Sequence, residues 1–196
     1  MSHDLLFALI GFAFVTSITP GPNNLMLMAS GANFGFMRSV PHMLGIGIGF
    51  TIMVLLVGVG LLGLFDAWPP SYTVLKAVSV AYLLWLAWKI ARAGAPGNGS
   101  AETRPITFLQ AAAFQWVNPK AWTMALTATS VYAEPHTLTA IAVVAMVFGA
   151  INLPTVSTWT LLGQGLRRFL TDPARLRLFN WTMAALLIAS LIPVLV

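Results

Sequence analysis

Three short polar stretches interrupt this otherwise apolar chain and carry the residue types that could hold a small charged solute. They are Thr19-Pro20-Gly21-Pro22-Asn23-Asn24, Asn118-Pro119-Lys120 and Asn152-Leu153-Pro154. Proline lacks an N–H and clashes with the preceding turn, so each stretch should break or kink a helix. Asn118-Pro119 reads as an N-cap followed by proline at the first helical position, and Gly21-Pro22 or Thr19-Pro20 can open a helix the same way. A helix that starts there presents unpaired N–H groups and about half an elementary positive charge. That suits a carboxylate. The amides of Asn23, Asn24 and Asn118 add donors and acceptors for a zwitterion, and Lys120 could pair with a carboxylate or gate access. The candidate substrate-binding residues are therefore Thr19, Pro20, Gly21, Pro22, Asn23, Asn24, Asn118, Pro119, Lys120 and Asn152.

Other chemistries lack their parts. Asp4, Asp66, Glu102, Glu134 and Asp172 all fall in expected loops or at membrane edges, so no carboxylate pair sits inside a span. His3, His42 and His136 show no metal-ligand spacing, cysteine is absent, and no phosphate-cradling loop precedes a Lys-Ser/Thr pair. We expect no catalytic residue, no resident metal and no cofactor, and read the chain as a non-enzyme.

The elements that must position these stretches are membrane spans. The chain is 58% hydrophobic and 8% charged with a mean hydropathy of +0.85; a soluble domain carries about 25% charged residues. The net charge of +5 comes from basic residues scattered between apolar blocks, which marks topology and not a nucleic-acid surface. Met1-Ser2-His3-Asp4 lacks the positive segment of a signal peptide, so the first apolar run is expected to be retained.

A spanning helix needs about 20 mainly apolar residues, which gives six: 5–28 (broken near 20), 40–65, 72–92, 106–131 (broken near 119), 137–163 and 177–196. The fold expected is all-α, a polytopic membrane protein with six transmembrane helices. Arg38 falls in the first connection, Lys89, Arg92 and Arg104 in the third, and Arg167, Arg168, Arg175 and Arg177 in the fifth. The second and fourth carry Asp66 and Glu134, with Lys76 just inside the third span as the one dissenter. The positive-inside rule then puts both termini outside.

Three spans per half make the halves opposite in orientation. Each half opens with a Pro-broken helix, continues with a glycine-dotted one and ends with an uninterrupted one. We read a single transport domain built as two inverted three-helix repeats, about 1–92 and 106–196, joined by a cytoplasmic linker over 93–105. In such repeats, broken helices at matching positions point to a site near the midplane. Lys120 is read either as a midplane group facing that cavity or as an interfacial group snorkelling to the headgroups. Gly45, Gly47 and Gly49 are read as close-packing positions, and Thr155, Ser157 and Thr158 as repair of the Pro154 kink.

On these residues the chain resembles the lysine exporter superfamily, in its homoserine/threonine (RhtB-type) branch of amino-acid efflux proteins. The resemblance runs over nearly the whole length. Its motifs are Thr19-Pro20-Gly21-Pro22-Asn23, Leu44-Gly45-Ile46-Gly47-Ile48-Gly49, Ala81-Tyr82-Leu83-Leu84-Trp85-Leu86-Ala87-Trp88-Lys89 and Asn118-Pro119-Lys120-Ala121-Trp122. It implies export of amino acids or their derivatives across the bacterial inner membrane by proton antiport. The implied partners are an amino acid, protons and the lipid bilayer, and the analogy allows a homodimer. Asn24–Gly31 is methionine-rich and uncharged, and no span holds a central carboxylate, which favours a small neutral substrate over lysine or arginine. His42 and Lys120 are the candidates for the coupling proton. A metal-ion exporter of the same superfamily, a non-transporting scaffold and an intramembrane enzyme are the competing readings.

Overall fold

The computed structural model describes residues 1–61, 67–68, 70–93, 104–134 and 137–192. Among them all regular structure is helical: α1 (His3–Ile18), α2 (Pro22–Phe34), α3 (Phe36–Gly58), α4 (Pro70–Ala91), α5 (Phe108–Gln115), α6 (Pro119–Tyr132), α7 (Leu138–Leu166) and α8 (Pro173–Ala189). Gly63, Asp66, Pro69, Glu102, Pro135, His136, most of the expected 93–105 linker and the last four residues of the expected sixth span lie outside the described residues.

Local chemistry explains where the helices start. The Ser2, Thr137 and Asp172 side chains accept from backbone N–H groups in the first turns of α1, α7 and α8, and Thr107 with Gln110 forms a reciprocal capping box on α5. Pro22, Pro119 and Pro173 each sit in the first turn of their helix, where the missing N–H has no intrahelical partner to lose.

Both expected breaks are present. α1 and α2 meet at 55° across residues 19–21, and Trp116, Val117 and Asn118 separate α5 from α6. Phe36–Gly58, Thr73–Ala91 and Leu138–Leu166 are each long and apolar enough to cross a membrane, and the bent α1–α2 pair makes a fourth.

The first connection differs from the expected loop over 29–39. α2 runs on to Phe34 and α3 starts at Phe36, because Gly35 alone makes the turn with a φ of 81°, a conformation glycine adopts without a Cβ clash. Arg38 therefore lies in the first turn of α3, its guanidinium over the Phe34 ring. α8, in the place of the expected sixth span, likewise starts at Pro173, four residues before the expected 177, because Asp172 caps it; Arg175 and Arg177 are helical.

α2 packs most closely on α7, α1 on α7, and α3 on α5, α6 and α7, while α4 pairs with α8. The broken pair at each end of the sequence thus lies against the long helix from the other half: α1 and α2 on α7, α5 and α6 on α3. Asn33 and Asn180 exchange hydrogen bonds at 2.7 and 3.0 Å, tying α2 to α8 in a buried setting. Pro154 does not end α7; the Thr155 hydroxyl donates to the Ile151 and Asn152 carbonyls, and Ser157 and Thr158 bond back one turn.

Glycines set the closest approaches. A methyl at Gly31 would run into the Thr160 carbonyl, one at Gly163 into the Met28 carbonyl, one at Gly45 into the Phe108 carbonyl, and one at Gly49 would sit 2.7 Å from Ala112 Cα. Apolar burial gives little drive for association in lipid, so such backbone-to-backbone contact carries the packing. Gly31→Ala must push α2 from α7 and should lower the melting temperature in detergent by several degrees, whereas Gly165→Ala, with open space around it, should leave it unchanged. Thermal unfolding followed by circular dichroism measures both.

Candidate functional site

The two breaks meet. Lys120, in the first turn of α6, reaches across to the end of α1, where its Nζ donates to the Thr19 carbonyl at 2.7 Å, the Thr19 hydroxyl at 2.9 Å and the Pro20 carbonyl at 3.4 Å. A helix C-terminus leaves carbonyls without partners and carries partial negative charge, so an ammonium there is well placed. Other side chains complete the repair. Asn24 Nδ2 donates to the Ser17 and Thr19 carbonyls, both at 2.8 Å, and the Trp159 indole N–H donates to the Ile18 carbonyl at 3.0 Å.

The opposite faces of the breaks are helix starts. Gly21 is the N-cap of α2 and offers no side-chain cap, while the Asn118 side chain caps α6 by accepting from the Lys120 N–H at 3.2 Å. A second bridge links the breaks: Asn23 Nδ2 donates to Gln115 Oε1 at 2.9 Å and Gln115 Nε2 donates back to Asn23 Oδ1 at 3.2 Å. The Gln115 amide also donates to the Ala111 carbonyl, and its side chain is fully buried.

Between these bridges lies a cavity of about 30 Å³, room for a few waters at most. Gly21, Asn23, Asn24, Asn118, Lys120 and Asn152 line it, together with Thr16, Ser17, Gln115 and an apolar wall of Phe50, Ala121, Met124 and Val156. Lys120 packs along Gly21: a Cβ there would sit 2.7 Å from Lys120 Cδ and displace the lysine stem.

Two buried polar atoms in this lining have no hydrogen-bond partner, Ser17 Oγ and Asn152 Oδ1. An unpaired buried acceptor costs about 1–3 kcal/mol, and such an atom in a native structure calls for an explanation. Asn152 Oδ1 can only accept, so it lacks a donor. Ser17 Oγ can do either.

Of the residues singled out from sequence, six therefore converge on one cavity. Thr19 and Pro20 join it through the Lys120 ammonium, and Pro22 and Pro119 open the helices whose first turns face it. The amides of Asn24 and Asn118 are engaged with the ends of α1 and α6, and that of Asn23 with Gln115. Ser17 and Gln115 were not singled out. Gln115 had a signal, a lone amide three residues before Asn118; Ser17, in an ordinary run ahead of Thr19, had none.

A second, smaller cavity is lined by Ser30, Asn33 and Phe34 of α2, Lys89 and Ile90 of α4, and Arg104. Lys89 Nζ donates to Gln110 Oε1 at 3.4 Å. Arg167 approaches Gly35 nearby, and the Gln164 side chain accepts from the Phe36 N–H. Basic residues of the first, third and fifth connections thus gather around the C-terminal end of α2. Among the described residues no three His, Cys, Asp or Glu side chains cluster.

The family model "LysE type translocator" matches residues 14–191. The cysteine/O-acetylserine efflux protein of Klebsiella pneumoniae subsp. pneumoniae is 31% identical over 199 residues, covering 100% of both chains. Proteins of the same description from Escherichia coli O1:K1 and O157:H7 are 32% and 33% identical over 192 residues, covering 96% of each chain. No solved structure matches.

Proposed function

The chain belongs to the LysE type translocator family, and from that premise we propose that it is a secondary active exporter of small neutral amino acids across the bacterial inner membrane. The carrying observation is the cavity between the two helix breaks, with the Lys120 ammonium at one side and the unpartnered Ser17 Oγ and Asn152 Oδ1 within its lining. An α-amino acid carries both complements: a carboxylate for Lys120 and the first turns of α2 and α6, and an ammonium for the acceptor at Asn152. Phe50, Met124 and Val156 leave an uncharged wall for the side chain. Relatives that export cysteine and O-acetylserine, both small and neutral, support this substrate class.

In this reading Lys120 is a latch. It holds the end of α1 when the cavity is empty, and a substrate carboxylate competes with the Thr19 and Pro20 carbonyls for it. Release of α1 then lets the cavity open, which is alternating access around a fixed site. The proposed architecture is a single domain of six spans in two inverted repeats, and the crossed packing of α1 and α2 on α7 and of α5 and α6 on α3 supports it. The basic residues gathered at the C-terminal end of α2 favour a cytoplasmic side there, with both termini outside. Proton antiport and a homodimer complete the proposal.

Counterflow in proteoliposomes with a panel of labelled amino acids tests it. Exchange of cysteine, O-acetylserine or another small neutral amino acid is expected, with none for lysine or arginine. No exchange of any amino acid would overturn the reading.

A further inference from the structure

The central cavity and the smaller basic one share a helix. Asn23 and Asn24, at the start of α2, line the first, while Met26, Ser30 and Asn33 line the second. At 3.6 residues per turn, Asn23, Met26, Ser30 and Asn33 fall within about 80° of one another and form one stripe along α2. The step from Asn23 to Met26 is about 4.5 Å along the axis. Less than one turn of one helix separates the two spaces.

A pair of amides closes that step. The reciprocal hydrogen bonds of Asn23 and Gln115 join α2 to α5, with Gln115 0% exposed. α2 and α5 are the halves of the two broken helices on the basic side: α2 ends at Phe34, in the same cavity lining as Lys89 and Arg104, and α5 starts four residues after Arg104. The Lys120 ammonium joins the other halves, α1 and α6. The central cavity thus has one tie on each side. Met26, 1% exposed, stands just below the amide pair.

Below Met26 the lining changes character, because Lys89 and Arg104 bring two cations to it. Its uncharged polar side chains are already engaged: Ser30 Oγ shares a 2.7 Å hydrogen bond with Ser39 Oγ, and Asn33 exchanges hydrogen bonds with Asn180. The cations are held less firmly. Lys89 Nζ donates to Gln110 Oε1 at a long 3.4 Å, and no carboxylate pairs with Lys89 or Arg104 among the described residues. A charge that only sets orientation needs the headgroup region and no cavity. Lys89 and Arg104 instead line one, at the end of a stripe that leads to the central cavity. Like charges around a cleft raise the local concentration of the opposite ion.

We propose that this basic cavity is an entry vestibule, in which Lys89 and Arg104 hold the carboxylate of an amino acid arriving from the basic face. The substrate then passes Met26 to the central cavity when the Asn23–Gln115 pair parts. This role rests on the exporter reading above. The vestibule is closed here, a cavity of about 20 Å³ with room for about one water, so an amino acid enters as α2 moves from its neighbours. Two carboxylate stations then stand in series, Lys89 with Arg104 at the mouth and Lys120 at the centre.

The chain has no cysteine, so Ile90→Cys, and separately Ala29→Cys, places a single thiol in the vestibule lining. A membrane-impermeant, sulfonate-bearing thiol reagent is added to the basic face of proteoliposomes. The competitor is O-acetylserine, or another thiol-free amino acid that gives counterflow, beside its carboxamide. The amino acid should slow labelling severalfold and the carboxamide should not. Adding Lys89→Gln or Arg104→Gln should move the half-effect at least about fivefold to higher concentration. Protection should persist with Lys120→Met, which removes the central carboxylate partner and leaves the vestibule. Equal protection by the carboxamide would overturn the proposal. So would protection that disappears with Lys120→Met, because the effect would then come from closure around the central cavity. No protection at either thiol, in a chain that performs counterflow, would overturn the vestibule and leave the exporter reading intact. Failure of counterflow in the natural chain would sink that reading, and the vestibule with it.

Discussion

Lys120→Met should abolish amino-acid efflux, lowering it at least about a hundredfold, while the chain still inserts and is extracted as a single species. The ammonium donates to two carbonyls and a hydroxyl at the end of α1 and lines the cavity. A hydrogen bond to a charged group contributes about 1.5–3 kcal/mol, and each 1.4 kcal/mol is about tenfold in an equilibrium. Losing both the carboxylate partner and the latch removes two such interactions from the transport cycle. Folding suffers less, because Asn24 still donates to the Thr19 carbonyl and Trp159 to that of Ile18. Lys120→Arg is not a rescue. Its planar fork is bulkier than the compact ammonium that the Thr19 and Pro20 oxygens hold. We expect it to retain less than about a tenth of the natural rate. Initial rates of counterflow and elution profiles in detergent measure both variants; normal transport by Lys120→Met would remove lysine from the site.

Asn152→Leu should move stability and transport in opposite directions. Asn152 Oδ1 is buried without a partner, so replacing the amide by an apolar group of similar size ends that penalty of about 1–3 kcal/mol. The melting temperature should stay the same or rise. Transport should fall at least about tenfold, because the substrate ammonium loses an acceptor in a setting where an unmatched polar group discriminates strongly. A structural amide would behave otherwise: its loss would lower stability, and any loss of transport would follow from that. Even a methyl placed on Gly47 would stand 3.9 Å from that oxygen, an ordinary contact distance, so the leucine can be accommodated on that side.

Much of this was legible in the chain. Pro22 and Pro119 mark helix starts by a rule that holds wherever the fold places them, and the structure opens α2 and α6 at those residues. Gly45 and Gly49 were readable as packing positions for the same reason. Tertiary partners were not readable. Asn24 lines the cavity and its amide also closes the end of α1, because Pro20 and Gly21 turn the chain so that it meets the Ser17 and Thr19 carbonyls. Gln115 pairs with Asn23 over 92 residues of sequence, and Asn33 with Asn180 over 147, separations that periodicity does not register. The loop expected around Arg38 vanished because one glycine at positive φ replaces several residues of turn. The unpartnered oxygens of Ser17 and Asn152 are visible only when every neighbour is in place.

The chain contains no cysteine, so a single introduced thiol reports on its own position. Ser17→Cys, nearly isosteric, puts that thiol in the lining between the two breaks. The decisive measurement is the rate at which a small maleimide labels it in proteoliposomes, with and without a transported amino acid, beside Gly165→Cys as a remote control. The cavity account predicts that substrate slows labelling at position 17 severalfold, with the half-effect at the concentration that half-saturates counterflow, and leaves position 165 unaffected. Equal labelling of Ser17→Cys at every substrate concentration, in vesicles that transport, would contradict it.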